Sequence, residues 1–171
     1  DTPFIGNAVE AIVPIKFPPE GSSGNGDSPT KYCSADENGQ FSDHVQVSKG
    51  VESGFVWAEG GACIFRPIRE VWGVSHNQPL MVWDGVDSSN FAERFDRPEG
   101  VSHFYEINYF VDEIIDVEWT MNWYHSVRQG AFDQPLQLLI NYKKVQGTRF
   151  ISYWEGSIIL HQVTPDITSI S

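Results

Sequence analysis

Two long stretches in the middle of the chain alternate apolar and polar residues with a period of two. In "VSHFYEINYFVD" one parity holds Val101, His103, Tyr105, Ile107, Tyr109 and Val111, against Ser102, Glu106, Asn108 and Asp112. In "IDVEWTMNWYHSV" it holds Ile115, Val117, Trp119, Met121, Trp123, His125 and Val127, against Asp116, Glu118, Thr120, Asn122 and Ser126. Successive side chains on a strand point to opposite faces. Each stretch therefore predicts a strand with one buried and one solvated face. Asp112-Glu113 marks a hairpin turn, and "RQGAFDQP" is a second connection. "LQLLINYKKV" reads as a third long strand, "QGT" as a turn, "RFISYWEGSIILHQV" as a fourth, and "ITSIS" after "TPD" as the start of a fifth. Connections this short pair neighbours antiparallel.

Upstream, "VESGFVWAEGGACIFRPI" is β-branched and aromatic, with a bulge or turn expected at Gly60-Gly61. The period then changes in "RPIREVWGVSHNQPLMVWD". Ile68, Val71, Trp72 and Ser75 follow the i, i+3, i+4, i+7 spacing of one helical face. Pro67 suits the first turn, where its missing N–H is not needed, and Asn77 suits a stop. Pro79 begins a second short helix through Trp83, with His76 between the two and "DGVDSSN" as the end.

Residues 1–50 have a different texture. "FPPEGSSGNGDSP" is loop, and "AIVPIKF" is interrupted by Pro14, which fits an edge strand or an arm better than a central strand. "KYCSADENGQFSDH" reads as irregular surface chain. The expected organisation is a mostly irregular N-terminal extension over 1–50 and a folded domain over 51–171. The fold class is α+β: a curved antiparallel β-sheet with two short helices after the first strand. Two short helices cannot cover the apolar face of such a sheet. Another helix, another chain or the curvature of the sheet itself must do so.

Composition narrows the function classes. Eleven Lys and Arg against 23 Asp and Glu give a formal charge of −12, with a pI near 4.6. Nucleic-acid binding depends on neutralising phosphates with cations, so this balance argues against it, and against docking on anionic membranes. No apolar run approaches the length of a transmembrane helix. The chain begins at Asp1 without a Met, which implies a removed leader or a cut. Cys33 and Cys63 are the two cysteines. A disulfide between them would suit an exported, periplasmic or secreted protein and would tie the N-terminal segment to the body; two unrelated thiols are the alternative.

The order of these segments, with these residues, resembles the START-like superfamily, also called SRPBCC or helix-grip (Bet v 1 and polyketide-cyclase-like proteins). "CIFRPIREVWGVSHNQPLMVWD" is similar to that family's first strand, helix pair and tryptophan-bearing turn. "DVEWTMNWYHSV" and "LQLLINYKKVQGTRFISYWEGSIIL" look like its central strands, and "EGSIILHQVTPDITSIS" like its closing hairpin, with Gly156 where a small residue is usual. The resemblance covers residues 51–171 through loose patterns. It implies an apolar cavity between sheet and helices for a lipid, sterol, polyketide or other hydrophobic small molecule. The long C-terminal helix usual in that family is missing, since the chain stops in strand-like "ITSIS". Truncation, processing or another segment in the groove would account for that.

Candidate chemistry concentrates on the apolar parities. Tyr105, Tyr109, Trp119, Trp123 and Tyr142 form an aromatic stripe that suits a pocket wall, because Tyr and Trp offer large contact area with one polar tip. Sheet packing is the plainer explanation of any one of them. His103 and His125 share those parities and would serve as a ligand's hydrogen-bond partner or as a general base, unless a neighbouring group simply satisfies them. Trp72 reads as core, and Trp83 as the pocket rim. Glu106, Asp112, Glu113, Asp116 and Glu118 mostly lie on polar parities and read as a solvated face; Glu155 is the exception, with an ambiguous parity. No calcium-loop, zinc, phosphate-loop or nucleophile-elbow pattern occurs, so neither a metal nor a cofactor is expected. The leading expectation is binding of a hydrophobic small molecule or lipid. The alternatives are a cyclase- or dehydratase-type enzyme using a pocket His with a Tyr, and an interaction domain whose sheet face is filled by a partner or, as a homo-oligomer, by a second copy.

Overall fold

The structure, a computed structural model, describes residues 31–77, 85–112 and 114–171. Strands β1 (Gln46–Glu52) and β2 (Phe55–Ile64) are followed by helix α1 (Ile68–Asn77), then β3 (Ser88–Arg94) and β4 (His103–Val111). β5 (Val117–Gly130), β6 (Pro135–Gly147), β7 (Glu155–Thr164) and β8 (Ile167–Ile170) complete the chain order. All strands join one antiparallel sheet in the order β1-β2-β8-β7-β6-β5-β4-β3. The protein is thus α+β, with an antiparallel sheet and one short helix among the described residues. From β3 to β8 every strand pairs with its neighbour in sequence, as short connections require. The exception is β2, which pairs with β8 through Ala62↔Ile170, Cys63↔Ser169 and Ile64↔Thr168.

Helix α1 follows Pro67, whose carbonyl accepts from the Glu70 and Val71 N–H groups at 3.0 and 3.3 Å. Its apolar face sets buried Ile68 and Trp72 against Leu138, Ile140 and Leu160 of the sheet. His76 belongs to its last turn rather than to a linker. The second helix expected over Pro79–Trp83 and the Glu113 half of the expected hairpin turn lie outside the described residues, as does "AIVPIKF".

Four local expectations need correction. The turn in the first hairpin falls at Ser53-Gly54, not at Gly60-Gly61; both residues have positive φ, 52° and 81°. Two consecutive left-handed residues are the type I′ turn, whose twist matches that of the strands it joins. β2 runs unbroken through Gly60-Gly61 because those glycines serve close approach. A Cβ on Gly60 would lie 2.6 Å from the Gln46 carbonyl oxygen, and one on Gly61 would strike the Ile170 carbonyl oxygen and the Tyr32 ring. Secondly, β1 starts at Gln46, within the stretch expected to be irregular, while residues 31–45 hold neither helix nor strand. Thirdly, Ser88–Asn90, read as the end of the second helix, begin strand β3, which shows no alternation because it is an edge strand exposed along most of its length. Fourthly, β7 begins at Glu155, and residues 149–154 are irregular rather than the start of a strand.

The expected solvated face also differs. Thr120, Asn122, Tyr124 and Ser126 on β5 are buried, as are Leu139, Asn141 and Ile159 beside them on the face away from α1. Short uncharged polar side chains tolerate burial when they bond to one another. Thr120 Oγ1 donates to Asn108 Oδ1 at 2.5 Å, and Ser157 Oγ to Asn141 Oδ1 at 2.7 Å. Phe104 stacks on Tyr124 with centroids 4.8 Å apart, and Val101 completes this smaller cluster. Alternation therefore separates two differently composed buried layers in mid-strand. Exposed carboxylates such as Asp116 and Glu118 lie near the β4–β5 connection.

The disulfide links Cys33 to Cys63 with a Cα–Cα distance of 4.8 Å. It fastens residues 31–45 to β2 beside β8 on the face away from α1. Lys31 and Tyr32 both bond to Glu59, and the Lys31 ammonium, then the Tyr32 hydroxyl, hold that carboxyl below the usual carboxylate range. A disulfide is compatible with an oxidising, exported location. No helix among the described residues is long and apolar enough to cross a membrane.

Gly156 illustrates how the sheet accommodates its aromatic rings. It lies opposite Tyr142 on β6, and any Cβ there would collide with the Tyr142 ring. Gly156→Val is expected to lower stability by about 2 kcal/mol through overpacking. A urea midpoint equal to that of the wild type would show that the ring moves aside without cost.

Candidate functional site

The aromatic stripe read from the sequence exists and faces α1. Cross-strand register places Tyr105 opposite Trp123 and Tyr109 opposite Trp119 on β4 and β5, and Trp123 opposite Tyr142 on β6. The rings stack rather than stand apart. Tyr105–Trp123 centroids are 6.1 Å apart, Tyr109–Trp119 5.3 Å and Trp123–Tyr142 5.0 Å. Such offset or tilted pairs add about 0.5–1.5 kcal/mol each beyond the area they bury. Tyr105, Tyr109, Trp119, Trp123 and His125 are buried; His103 and Tyr142 are half-buried. Burial pushes the Tyr105 hydroxyl well above the ordinary tyrosine value and raises that of Tyr142, so both stay protonated. Trp83, expected at the rim, lies outside the described residues.

Two centres emerge on this face. At the α1 end, Trp72 Nε1 donates to His125 Nδ1 at 2.7 Å, and His125 Nε2 lies 2.8 Å from the Tyr105 hydroxyl. An indole nitrogen can only donate, so Nδ1 must be bare and Nε2 carries the ring proton. A second proton on Nδ1 would set donor against donor, so the geometry favours the neutral imidazole. His103, the register partner of His125, faces the Glu93 carboxylate with its Nδ1, 3.4 Å away. Exposed Phe132 lies edge-on to Trp72, 5.6 Å away, and 5.5 Å from His103. Parity alone identified His103, Tyr105 and His125. The Trp72 partner was missed because contacts between a helix and a strand 53 residues later leave no local pattern.

At the opposite end, near the β4–β5 connection, Tyr109 and Trp119 meet Trp154 from the irregular segment 148–154. Trp119 and Trp154 centroids are 5.8 Å apart at 31°. Val86, Val111, Val117 and Ile151 pack against the same core cluster. Trp119 Nε1 is buried and has no hydrogen-bond partner among the described residues. Trp154 was hidden in the sequence because residues 149–154 were read as strand. Lys144 N–H donates to its carbonyl at 2.7 Å, which holds the segment against β6.

The other candidates fall outside both centres. Glu155 sits half-buried on the face away from α1, bonded by the Tyr153 hydroxyl and 3.3 Å from Lys143 Nζ. His161 lies on the same face, and burial holds its imidazole below the ordinary value. A cleft of about 230 Å³ opens beside the start of α1, between Pro67–Arg69, Gln134–Leu136 and Gln162; none of the described candidate residues lines it. Among the described residues no three His, Cys, Asp or Glu side chains are grouped to hold a metal ion. Compared with known proteins, the chain matches no family model, no curated protein and no solved structure.

Proposed function

We propose that the chain is a START-like, helix-grip-type domain that binds a hydrophobic small molecule or lipid between the helix-bearing face of its sheet and α1. The observation that carries this reading is the aromatic composition of that face. Tyr105, Tyr109, Trp119, Trp123 and Tyr142 stand where ordinary sheet packing favours Leu, Ile and Val. Aromatic walls with a few polar tips are the usual lining of small-molecule sites. The enzymatic alternative draws less support, because both ring nitrogens of His125 are engaged inside the protein, by Trp72 and Tyr105. A general base needs a nitrogen within reach of substrate.

The test is a titration with an apolar fluorophore, followed by native and denaturing mass spectrometry of the protein purified from its natural source. Saturable binding at one probe per chain is expected, with a retained mass of a few hundred daltons in the native spectrum. Binding that appears only as the chain unfolds would exclude the reading. A second reading, as an interaction domain, rests on the first hairpin. Val47, Val51 and Val56 are exposed there, Val56 at 82% of its surface. Their register partners place them on one face of the hairpin.

A further inference from the structure

Buried polar atoms without partners are rare, because each forfeits its bonds to water without replacement. On the aromatic face Trp119 is such a case: the residue is 5% exposed, and its indole N–H meets no acceptor among the described residues. Among the described residues its ring neighbours are Tyr109, stacked at 5.3 Å, and Trp154, tilted at 5.8 Å, and Val86, Val111, Val117 and Ile151 belong to the same apolar cluster. An indole offers one donor and no acceptor.

We infer that the bound molecule is an apolar compound carrying a neutral hydrogen-bond acceptor, such as a ketone or ester carbonyl, and that Trp119 Nε1 donates to that oxygen. The inference rests on the binding reading above and specifies its ligand class. A hydrocarbon would fill the same space but leave the indole N–H unmet. A carbonyl compound gains there the bond it gives up in water. Entry requires the Trp154 ring to swing aside, because that ring lies against Trp119 and Trp154 sits in the irregular segment between β6 and β7.

A matched pair of probes tests this: 2-propionylnaphthalene and 2-propylnaphthalene, which differ in one carbonyl oxygen. Binding of both to the wild-type chain and to Trp119→Phe is measured by equilibrium dialysis with naphthalene absorbance as the readout, and a denaturation curve checks the fold. In the wild type the ketone is expected to bind about tenfold more tightly than the hydrocarbon, the worth of one buried hydrogen bond. In Trp119→Phe the ketone loses that advantage while the hydrocarbon retains its affinity. Equal affinities in the wild type, or an advantage that survives Trp119→Phe, overturn the assignment of Trp119 but leave hydrophobic binding standing. Saturable binding of neither probe overturns both. If Trp119→Phe does not fold, the wild-type ratio alone decides.

Discussion

His125→Ala is expected to cost about 4 kcal/mol, which at this chain length lowers the melting temperature by roughly 10 °C. Two effects add. The Trp72 indole N–H loses its acceptor at 2.7 Å and the Tyr105 hydroxyl loses its partner at 2.8 Å. A fully buried ring is also replaced by a methyl group, and the surrounding core closes only partly. The two effects separate in a double-mutant cycle. Trp72→Phe removes the same hydrogen bond from the other side, so the double variant should be less costly than the sum of the singles by about 1–2 kcal/mol. Additive costs, or a loss below 1 kcal/mol for His125→Ala, would mean that the histidine is merely accommodated in the core. Thermal unfolding followed by near-ultraviolet circular dichroism reads the result through the tryptophans themselves.

Removing the disulfide is the second large effect. The bridge spans 30 residues of sequence, and closing a loop of that length in the unfolded chain corresponds to roughly 3–4 kcal/mol. The double variant Cys33→Ser/Cys63→Ser should lose stability of that order in guanidinium titrations. Cys33 and Cys63 are both buried, so reductant alone should leave the native bridge intact and open it only as denaturant is added. Rapid reduction of the folded protein would contradict that expectation. So would a double variant as stable as the parent in its oxidised form.

How much of this was legible beforehand varies with the physics of each segment. β4, β5 and the later strands were readable because one of their faces is strongly apolar and their connections are short. β3 was not, because an exposed edge strand has no reason to alternate. Gly60-Gly61 was misread because glycine signals either a turn or crowding, and only the approach of Gln46, Ile170 and Tyr32 distinguishes the two. The buried polar layer on β5 was misread for a related reason. Thr120, and Asn141 on neighbouring β6, look solvated until their partners Asn108 on β4 and Ser157 on β7 are known. Parity placed His103, His125 and the aromatic stripe on one face, but period alone carries no depth. It therefore did not anticipate that the rings would stack on one another, nor that Trp72 and Trp154 would reach them from outside the central strands.

The pairing of β2 with β8 bears on how the molecule is made. Ala62 and Ile170 are partners across 108 positions, and Thr168 Oγ1 donates to the Arg66 carbonyl across 102. Contacts so distant in sequence slow folding, because the intervening chain must be ordered before they can form. On a ribosome, the hairpin of β1 and β2 and the helix behind it would emerge first and wait for the final strand. Through that interval Cys63 would lack its β8 neighbour while Cys33 is already at hand. Oxidation would then precede closure of the sheet, and the bridge would already hold residues 31–45 on the waiting hairpin.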